Sequence, residues 1–110
     1  MAKSGWREDQ LRELRKAAEQ NSADAQFNLG WCYEDGRGVE KDYAVAAKWY
    51  RKAAEQNDSA AQSWLGFMYY HGQGVEKDHA EAFKWFRLAA EQNNSAAQAW
   101  LGAMYFQGQG

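Results

Sequence analysis

Residues 39–74 read VEKDYAVAAKWYRKAAEQNDSAAQSWLGFMYYHGQG, and a closely similar copy follows directly in the chain. Residues 75–110 read VEKDHAEAFKWFRLAAEQNNSAAQAWLGAMYFQGQG, which matches the first copy at 26 of 36 positions. The same pattern runs backwards from residue 38 as RKAAEQNSADAQFNLGWCYEDGRG and fades before Arg15. A period of this length, with helical spacing and no proline, predicts an all-α solenoid in which each unit contacts only its neighbours.

Each 36-residue unit predicts two antiparallel helices, which we call helix A and helix B. Helix A is expected to start at residues that cap helix N-termini well, namely Ser22, Asp58 and Asn94, with Ser59 and Gln62 as an alternative capping box. It is expected to end at glycines that can adopt the left-handed conformation, namely Gly36, Gly72 and Gly108. Helix B is expected to start at Asp42 and Asp78 and to stop at Asn57 and Asn93.

The chain is long enough for one domain, so we expect residues 1–110 to form a single repeat domain. Residues 6–21 resemble a lone, mostly charged helix B and are predicted to cap the N-terminal end. Repeat 1 then covers 22–57, repeat 2 covers 58–93, and 94–110 form a half repeat with helix A only. This organisation predicts six helices, with the last helix B absent.

Composition and charge exclude several classes of partner. The formal net charge is −2 and the pI is near 5.7, so the chain offers no broad attraction to nucleic acid. No run of about 18 apolar residues predicts a membrane span, and the given N-terminus shows no signal peptide. The single cysteine, Cys32, cannot form an internal disulfide, which suits a reducing compartment. We therefore expect a cytoplasmic protein, although a longer precursor with a leader is compatible with this sequence.

The segment AQFNLGWCYEDGRGVEKDYAVAAKWYRKAAEQ, residues 25–56, resembles the Sel1-like repeat, a relative of the tetratricopeptide repeat. The shared features are the LG pair, the MY pair of the later copies, the GxGV loop, the D-x-x-x-A start of helix B and the WYRKAAEQ end. Two departures are that Glu40 and Glu76 stand where proline is common, and that the disulfide-bearing members have cysteines where this chain has Ala54, Gln62, Ala90 and Gln98. The resemblance implies a right-handed α/α superhelix whose A helices line a concave face that binds other proteins.

Helix A carries two neighbouring stripes of side chains, and only one of them varies between the repeats. Ala61, Leu65 and Met68 lie on a stripe with the spacing of a buried face, and their counterparts in residues 94–110 are identical. On the neighbouring stripe, four of six positions differ between the two copies. A packed face tolerates little change, so the variable stripe is predicted to be the groove.

The predicted groove is aromatic, and aromatic clusters dominate protein interfaces. Its predicted partner-binding residues are Phe27, Asn28, Trp31, Glu34, Ser63, Trp64, Phe67, Tyr70, His71, Trp100 and Phe106. The acidic end around Asp24, Glu34 and Asp35 favours a partner with positive charge beside apolar anchors. The alternative interpretation is that the rings pack between adjacent repeats.

No residue pattern predicts catalysis, a cofactor or a metal site. Cys32 occupies the position of Met68 and Met104, which indicates a buried hydrophobe. His71 and His79 have no carboxylate or thiol at metal-ligand spacing and are interpreted as solvated. Glycines inside helix A, such as Gly66, are expected to allow close approach to helix B, against its paired alanines. The basic residues Lys48, Arg51, Lys52, Lys84 and Arg87 are interpreted as a solvated face of helix B.

Two functions stay open. The first is an interaction module that binds a peptide or protein in its aromatic groove. The second is an engineered or trimmed structural scaffold with no natural ligand. An enzyme is not expected, because no nucleophile, base and oxyanion site can be assembled from the sequence.

The last helix A is expected to expose an apolar face, because no helix B follows it to cover Leu101, Met104 and Tyr105. Such a face seeks cover from water. Cover can come from the same helix of a second chain about a two-fold axis, or from the B-like residues 6–20 of a neighbour. Because residues 6–20 are polar, the two-fold homodimer is the favoured prediction.

Overall fold

The structure, a computed structural model, describes residues 8–108. Within that range the chain forms six helices and no strand: α1 (Glu8–Glu19), α2 (Ala23–Asp35), α3 (Tyr43–Glu55), α4 (Ser59–His71), α5 (His79–Ala90) and α6 (Ser95–Phe106). Helices α2, α4 and α6 are the A helices, and α1, α3 and α5 are the B helices. Each helix packs on the next one along the chain, in an elongated body of about 49 × 22 × 20 Å. The predicted all-α class is confirmed, while residues 6, 7, 109 and 110 lie outside the described part.

Side chains cap five helices at the predicted residues. In each case a side-chain oxygen accepts a hydrogen bond from a backbone N–H in the first turn of the helix, which contributes about 1 kcal/mol. The pairs of capping residue and donor are Ser22 with Ala25, Asp42 with Val45, Asp58 with Ala61, Asp78 with Glu81, and Asn94 with Ala97. Short polar residues therefore fix where each helix begins.

The helix ends lie near the predicted stops, although α5 and α6 each end one residue earlier than the corresponding helix of the preceding repeat. Gly36 and Gly72 close α2 and α4 in the left-handed conformation, at φ of 72° and 70°. The stop after α3 is Asn57, at φ of 73°, whose backbone carbonyl accepts a hydrogen bond from Gln92 of the next repeat. Helix α6 ends one residue earlier than α2 and α4 do, with its cap at Gln107. The positive φ then falls on the glycine that follows.

The alternative capping box between Ser59 and Gln62 is wrong. Asp58 caps α4, and the side chain of Gln62 is only 2% exposed. Its Nε2 donates a hydrogen bond of 3.1 Å to the backbone carbonyl of Ala54 in α3. A hydrogen bond thus joins two of the four positions at which the resemblance implies cysteines in the disulfide-bearing members.

Glutamine side chains link the two helices within each complete repeat. Gln56 Nε2 donates to Gln26 Oε1 at 3.0 Å, and Gln92 Nε2 donates to Gln62 Oε1 at 3.1 Å. Gln26 and Gln62 are buried, whereas Gln98, the next residue of the series, is exposed. Since a buried amide needs partners, these bonds fix the end of each helix B against the helix A of the same repeat.

A ring of each complete repeat's helix B lies directly on a glycine of its helix A. A Cβ atom added at Gly30 would lie 2.9 Å from the ring of Tyr50, and one at Gly66 would lie 2.9 Å from the ring of Phe86. These glycines were expected to face the paired alanines of helix B. That expectation is wrong, because the nearest side chain is the aromatic ring. At Gly102 nothing lies within 4 Å of the added atom.

The two glycines of α4 and α6 allow a matched stability test. Gly66→Ala should destabilise the protein by about 1–3 kcal/mol, because the new methyl group displaces the fully buried ring of Phe86. Gly102→Ala should be neutral or stabilising by up to about 1 kcal/mol, because alanine favours a helix and has room there. Urea unfolding followed by circular dichroism measures both. Equal effects of the two changes would contradict the ring-on-glycine contact.

The glutamine series gives a second matched pair. Gln62→Ala should lower the free energy of unfolding by about 1–3 kcal/mol, because it leaves the buried carbonyl of Ala54 and the amide of Gln92 without this partner. Gln98→Ala should change it by less than about 0.5 kcal/mol, because that side chain is exposed. The same urea unfolding measures both variants, and a Gln62→Ala variant as stable as the wild type would show that the hydrogen bonds of Gln62 do not stabilise the fold.

Candidate functional site

Aromatic rings of α4 and α6 form a continuous chain of contacts, and Phe27 of α2 joins it through Tyr50 of α3, at 5.4 Å between ring centroids. From α4, Trp64 contacts Phe67 at 5.7 Å between ring centroids, and Phe67 contacts Trp100 of α6 at 5.9 Å. Tyr70 contacts Trp100 at 5.0 Å and stacks on His79 at 4.6 Å. We call the surface formed by Phe27, Trp64, Phe67, Tyr70, His71 and Trp100 the aromatic surface.

Two rings from the B helices support the tryptophans, and sequence reasoning did not place them in the site. Tyr50 stacks on Trp64 with planes 10° apart, and Phe86 stacks on Trp100 with planes 4° apart. Part of the surface of each tryptophan therefore packs against a ring of the preceding repeat, as the alternative interpretation proposed. Trp64 still leaves 37% of its surface exposed. The sequence does contain a pattern that could have revealed these two buried rings, because each aromatic residue follows Gly30 or Gly66 at the same spacing of 20 residues.

An open cleft of about 360 Å³ lies between α4 and α6 on the aromatic surface. Its size falls in the range of sites that bind a side chain or small ligand. It is lined by Ala60, Ser63, Trp64, Phe67, Asn94, Ala96 and Trp100. The side chain of Asn94 is occupied as the cap of α6, so the cleft is mainly apolar.

Four predicted groove residues line this cleft, namely Ser63, Trp64, Phe67 and Trp100. Others lie elsewhere. Trp31 of α2 lies under the guanidinium of Arg37, which is 4.3 Å from its ring centroid, and Phe106 is 93% exposed at the end of α6. Asn28 is exposed on α2. The structure thus brings the α4 and α6 part of the predicted groove together more closely than the α2 part.

The acidic end of the predicted groove already has partners within the chain. Glu34 accepts a hydrogen bond of 2.6 Å from the hydroxyl of the buried Tyr50. Burial, together with the Glu34 carboxylate, raises the pKa of Tyr50 far above its usual value. Asp35 forms an ion pair of 2.6 Å with Arg37. These contacts reduce the negative charge that this end can offer to a partner.

The predicted oligomer-contact residues differ in their exposure. Met104 is fully buried against Ala82, Phe86, Ala89 and Ala97, so the expectation that it is uncovered is wrong. Helix α5 covers it, since helix A packs on the B helix before it as well as on the one after it. Leu101 is half-buried, and Tyr105 is 60% exposed beside Phe83.

Cys32 is fully buried, and burial raises the pKa of its thiol, which agrees with its interpretation as a buried hydrophobe. His71 contacts Phe67 at 4.4 Å between ring centroids. In residues 8–108, no group of three or more His, Cys, Asp or Glu side chains is placed to hold a metal ion. None of the described helices is long and apolar enough to cross a membrane.

The sequence pattern of the Sel1 repeat matches residues 23–58, 59–94 and 95–110. The chain belongs to the Sel1 repeat family. Proteins of this family are generally non-enzymatic protein-interaction scaffolds, and the repeat forms a helical solenoid. The family assignment therefore confirms the resemblance that the LG pair, the GxGV loop and the WYRKAAEQ segment indicated. No curated protein matches the chain.

Three solved structures are similar to this Sel1 repeat chain. A protective antigen of uropathogenic Escherichia coli with an SLR fold is 48% identical over 89% of this chain, with a TM-score of 0.87. A Sel1 repeat protein from Oxalobacter formigenes is 46% identical over 93%, with a TM-score of 0.89. Cysteine rich protein B of Helicobacter pylori is 36% identical over 83%, with a TM-score of 0.79. The chain spans 21%, 42% and 68% of these proteins, respectively.

Proposed function

We propose that this Sel1 repeat chain is a protein-interaction module that binds a peptide or protein segment along its aromatic surface. The observation that carries the proposal is the cleft between α4 and α6, in which Trp64, Phe67 and Trp100 surround one open space. An apolar side chain of the partner enters this cleft as an anchor. The family's general role as a scaffold supports the same class of function.

The tryptophans suit an anchor site because buried rings of the B helices fix their orientation. Tyr50 and Phe86 stack on them, so little side-chain freedom is lost when a partner binds. Large, well-packed aromatic side chains are also the residues that contribute most to binding at protein interfaces. The weakly charged lining means that the anchor is apolar rather than ionic.

Peptides selected from a random library on the immobilised chain provide the test. The double variant Trp64→Ala and Phe67→Ala should weaken the binding of the selected peptides by about thirty-fold or more, since the loss of even one residue at such a centre costs about 2 kcal/mol. Leu88→Ala is the matched control, because Leu88 on α5 has the same exposed fraction of 37% as Trp64. Isothermal titration measures the affinities, and circular dichroism checks that the variants fold.

Unchanged affinity in a folded double variant would contradict the assignment of the aromatic surface. Failure to select any peptide would instead favour the alternative of a structural scaffold without a ligand. The two results can be told apart. Unchanged affinity can be measured only if a peptide binds, whereas the second result is the absence of any binding peptide.

We also propose that two copies of the 110-residue chain associate through the outer face of α6. This face carries the half-buried Leu101, the 60%-exposed Tyr105 and the 93%-exposed Phe106. It also has open space at Gly102, whereas the corresponding glycines of the two complete repeats each contact a ring of helix B. A two-fold arrangement covers both copies of the face at once.

Tyr105→Glu should convert the dimer to a monomer, because it places a charge in the centre of that face. Leu88→Glu, an equal change of charge at an exposed site on α5, should leave the dimer intact. Light scattering coupled to size exclusion at high micromolar concentration measures the mass. A monomeric wild type, or a dimer that survives Tyr105→Glu, would refute the proposal.

A further inference from the structure

A second cleft, of about 830 Å³, lies on the B-helix side of the molecule. It extends over α3, from α1 at one end to the loop before α5 at the other, and shares no residue with the cleft on the aromatic surface. Four cationic side chains and one carboxylate line it: Arg15, Lys48, Arg51, Lys52 and Glu55. We call it the basic cleft. Its local charge is positive in a chain whose net charge is −2.

The two arginines of the basic cleft are held in place by tyrosines. Arg15 Nη1 donates to the hydroxyl of Tyr33 at 3.1 Å, and Arg51 Nη2 donates to the hydroxyl of Tyr69. Both arginines are half-buried. A guanidinium that is already oriented and partly removed from water loses less freedom when it binds a carboxylate, and each keeps further N–H groups to donate.

The two repeats differ on this face at one lysine, which has a carboxylate neighbour in repeat 2 and lacks it in repeat 1. The arginines do not differ, because Arg51 and Arg87 each lie 3.9 Å from a glutamate, Glu55 and Glu91 respectively. On α5, Lys84 lies 3.7 Å from Glu81. One repeat earlier, Lys48 has Val45 in place of that glutamate, and Val45 lines the cleft. Lys48 and Lys52 are exposed, as the interpretation of a solvated face expects. A carboxylate of a partner can take the place of the missing glutamate beside Lys48.

Apolar side chains share the basic cleft with these cations. Trp49 is half-buried there, and Val45 and Val75 complete an apolar wall. A small anion would use the cations and leave this wall uncovered. A segment that carries both acidic residues and a large apolar side chain satisfies both features of the cleft.

We propose that the basic cleft binds an acidic peptide segment that has an apolar anchor residue. The carboxylates pair with Arg15, Arg51 and the two lysines, and the anchor packs against Trp49. This site is separate from the aromatic surface, so one module can hold two segments on opposite sides.

The probe is the fluorescein-labelled peptide Glu-Glu-Leu-Phe-Glu-Glu, titrated with the full chain and followed by fluorescence anisotropy. Its binding should weaken by about five-fold or more in Lys48→Glu and should weaken with added salt. Lys84→Glu is the matched control, because it occupies the same repeat position and changes the net charge by the same amount. Its affinity should stay within about two-fold of the wild type.

Comparison peptides identify the chemistry. Lys-Lys-Leu-Phe-Lys-Lys should not bind, and hexaglutamate should bind more weakly than the probe because it lacks the anchor. The double variant Trp64→Ala and Phe67→Ala should bind the probe like the wild type, which separates this proposal from the function proposed for the aromatic surface.

Three results would overturn the proposal. The first is no binding of the probe, and the second is equal weakening by Lys48→Glu and Lys84→Glu, which would indicate a general charge effect. The third is hexaglutamate or a single-stranded oligonucleotide binding as tightly as the probe, which would show attraction to any polyanion.

Discussion

The contact between an aromatic ring of helix B and a glycine of helix A sets the geometry of this solenoid. Any larger residue at the glycine would meet the ring, so the glycine allows the two helices of a repeat to approach closely at this point. The other side of the same ring stacks on a tryptophan of the next helix A. The two resulting series are Gly30, Tyr50 and Trp64, and Gly66, Phe86 and Trp100. Packing within a repeat is thereby passed on to the next repeat.

This arrangement explains why the aromatic surface both packs and remains open. Stacking on one side fixes the orientation of the tryptophan side chain, so its remaining surface stays accessible. Differences between repeats then decide where clefts occur. Asn28 stands where the later repeats have tryptophan, and the cleft found on the A helices lies between α4 and α6. Val45 stands where repeat 2 has Glu81, and the basic cleft lies in repeat 1.

The repeat period was sufficient to predict the six helices, and the capping residues were sufficient to predict where five of them start, because a cap depends on local chemistry. Contacts between helices were harder to predict. Gln62 was interpreted as part of a local cap, but it bonds to α3, and Met104 was expected to be uncovered although α5 buries it. Tyr50 and Phe86 were missed because they belong to helix B, whereas the site was sought on helix A. The basic cleft combines α1, α3 and a loop, which no single stripe of residues reveals.

The tryptophan indole N–H signals in a two-dimensional NMR spectrum test most directly whether peptides bind on the A-helix side. The chain is titrated with a peptide selected on it, and each indole reports its own location in one spectrum. The signals of Trp64 and Trp100 should shift, while those of Trp49 and the buried Trp85 on the B helices should stay in place. Shifts at Trp49 and Trp85 with none at Trp64 and Trp100 would contradict binding on the aromatic surface.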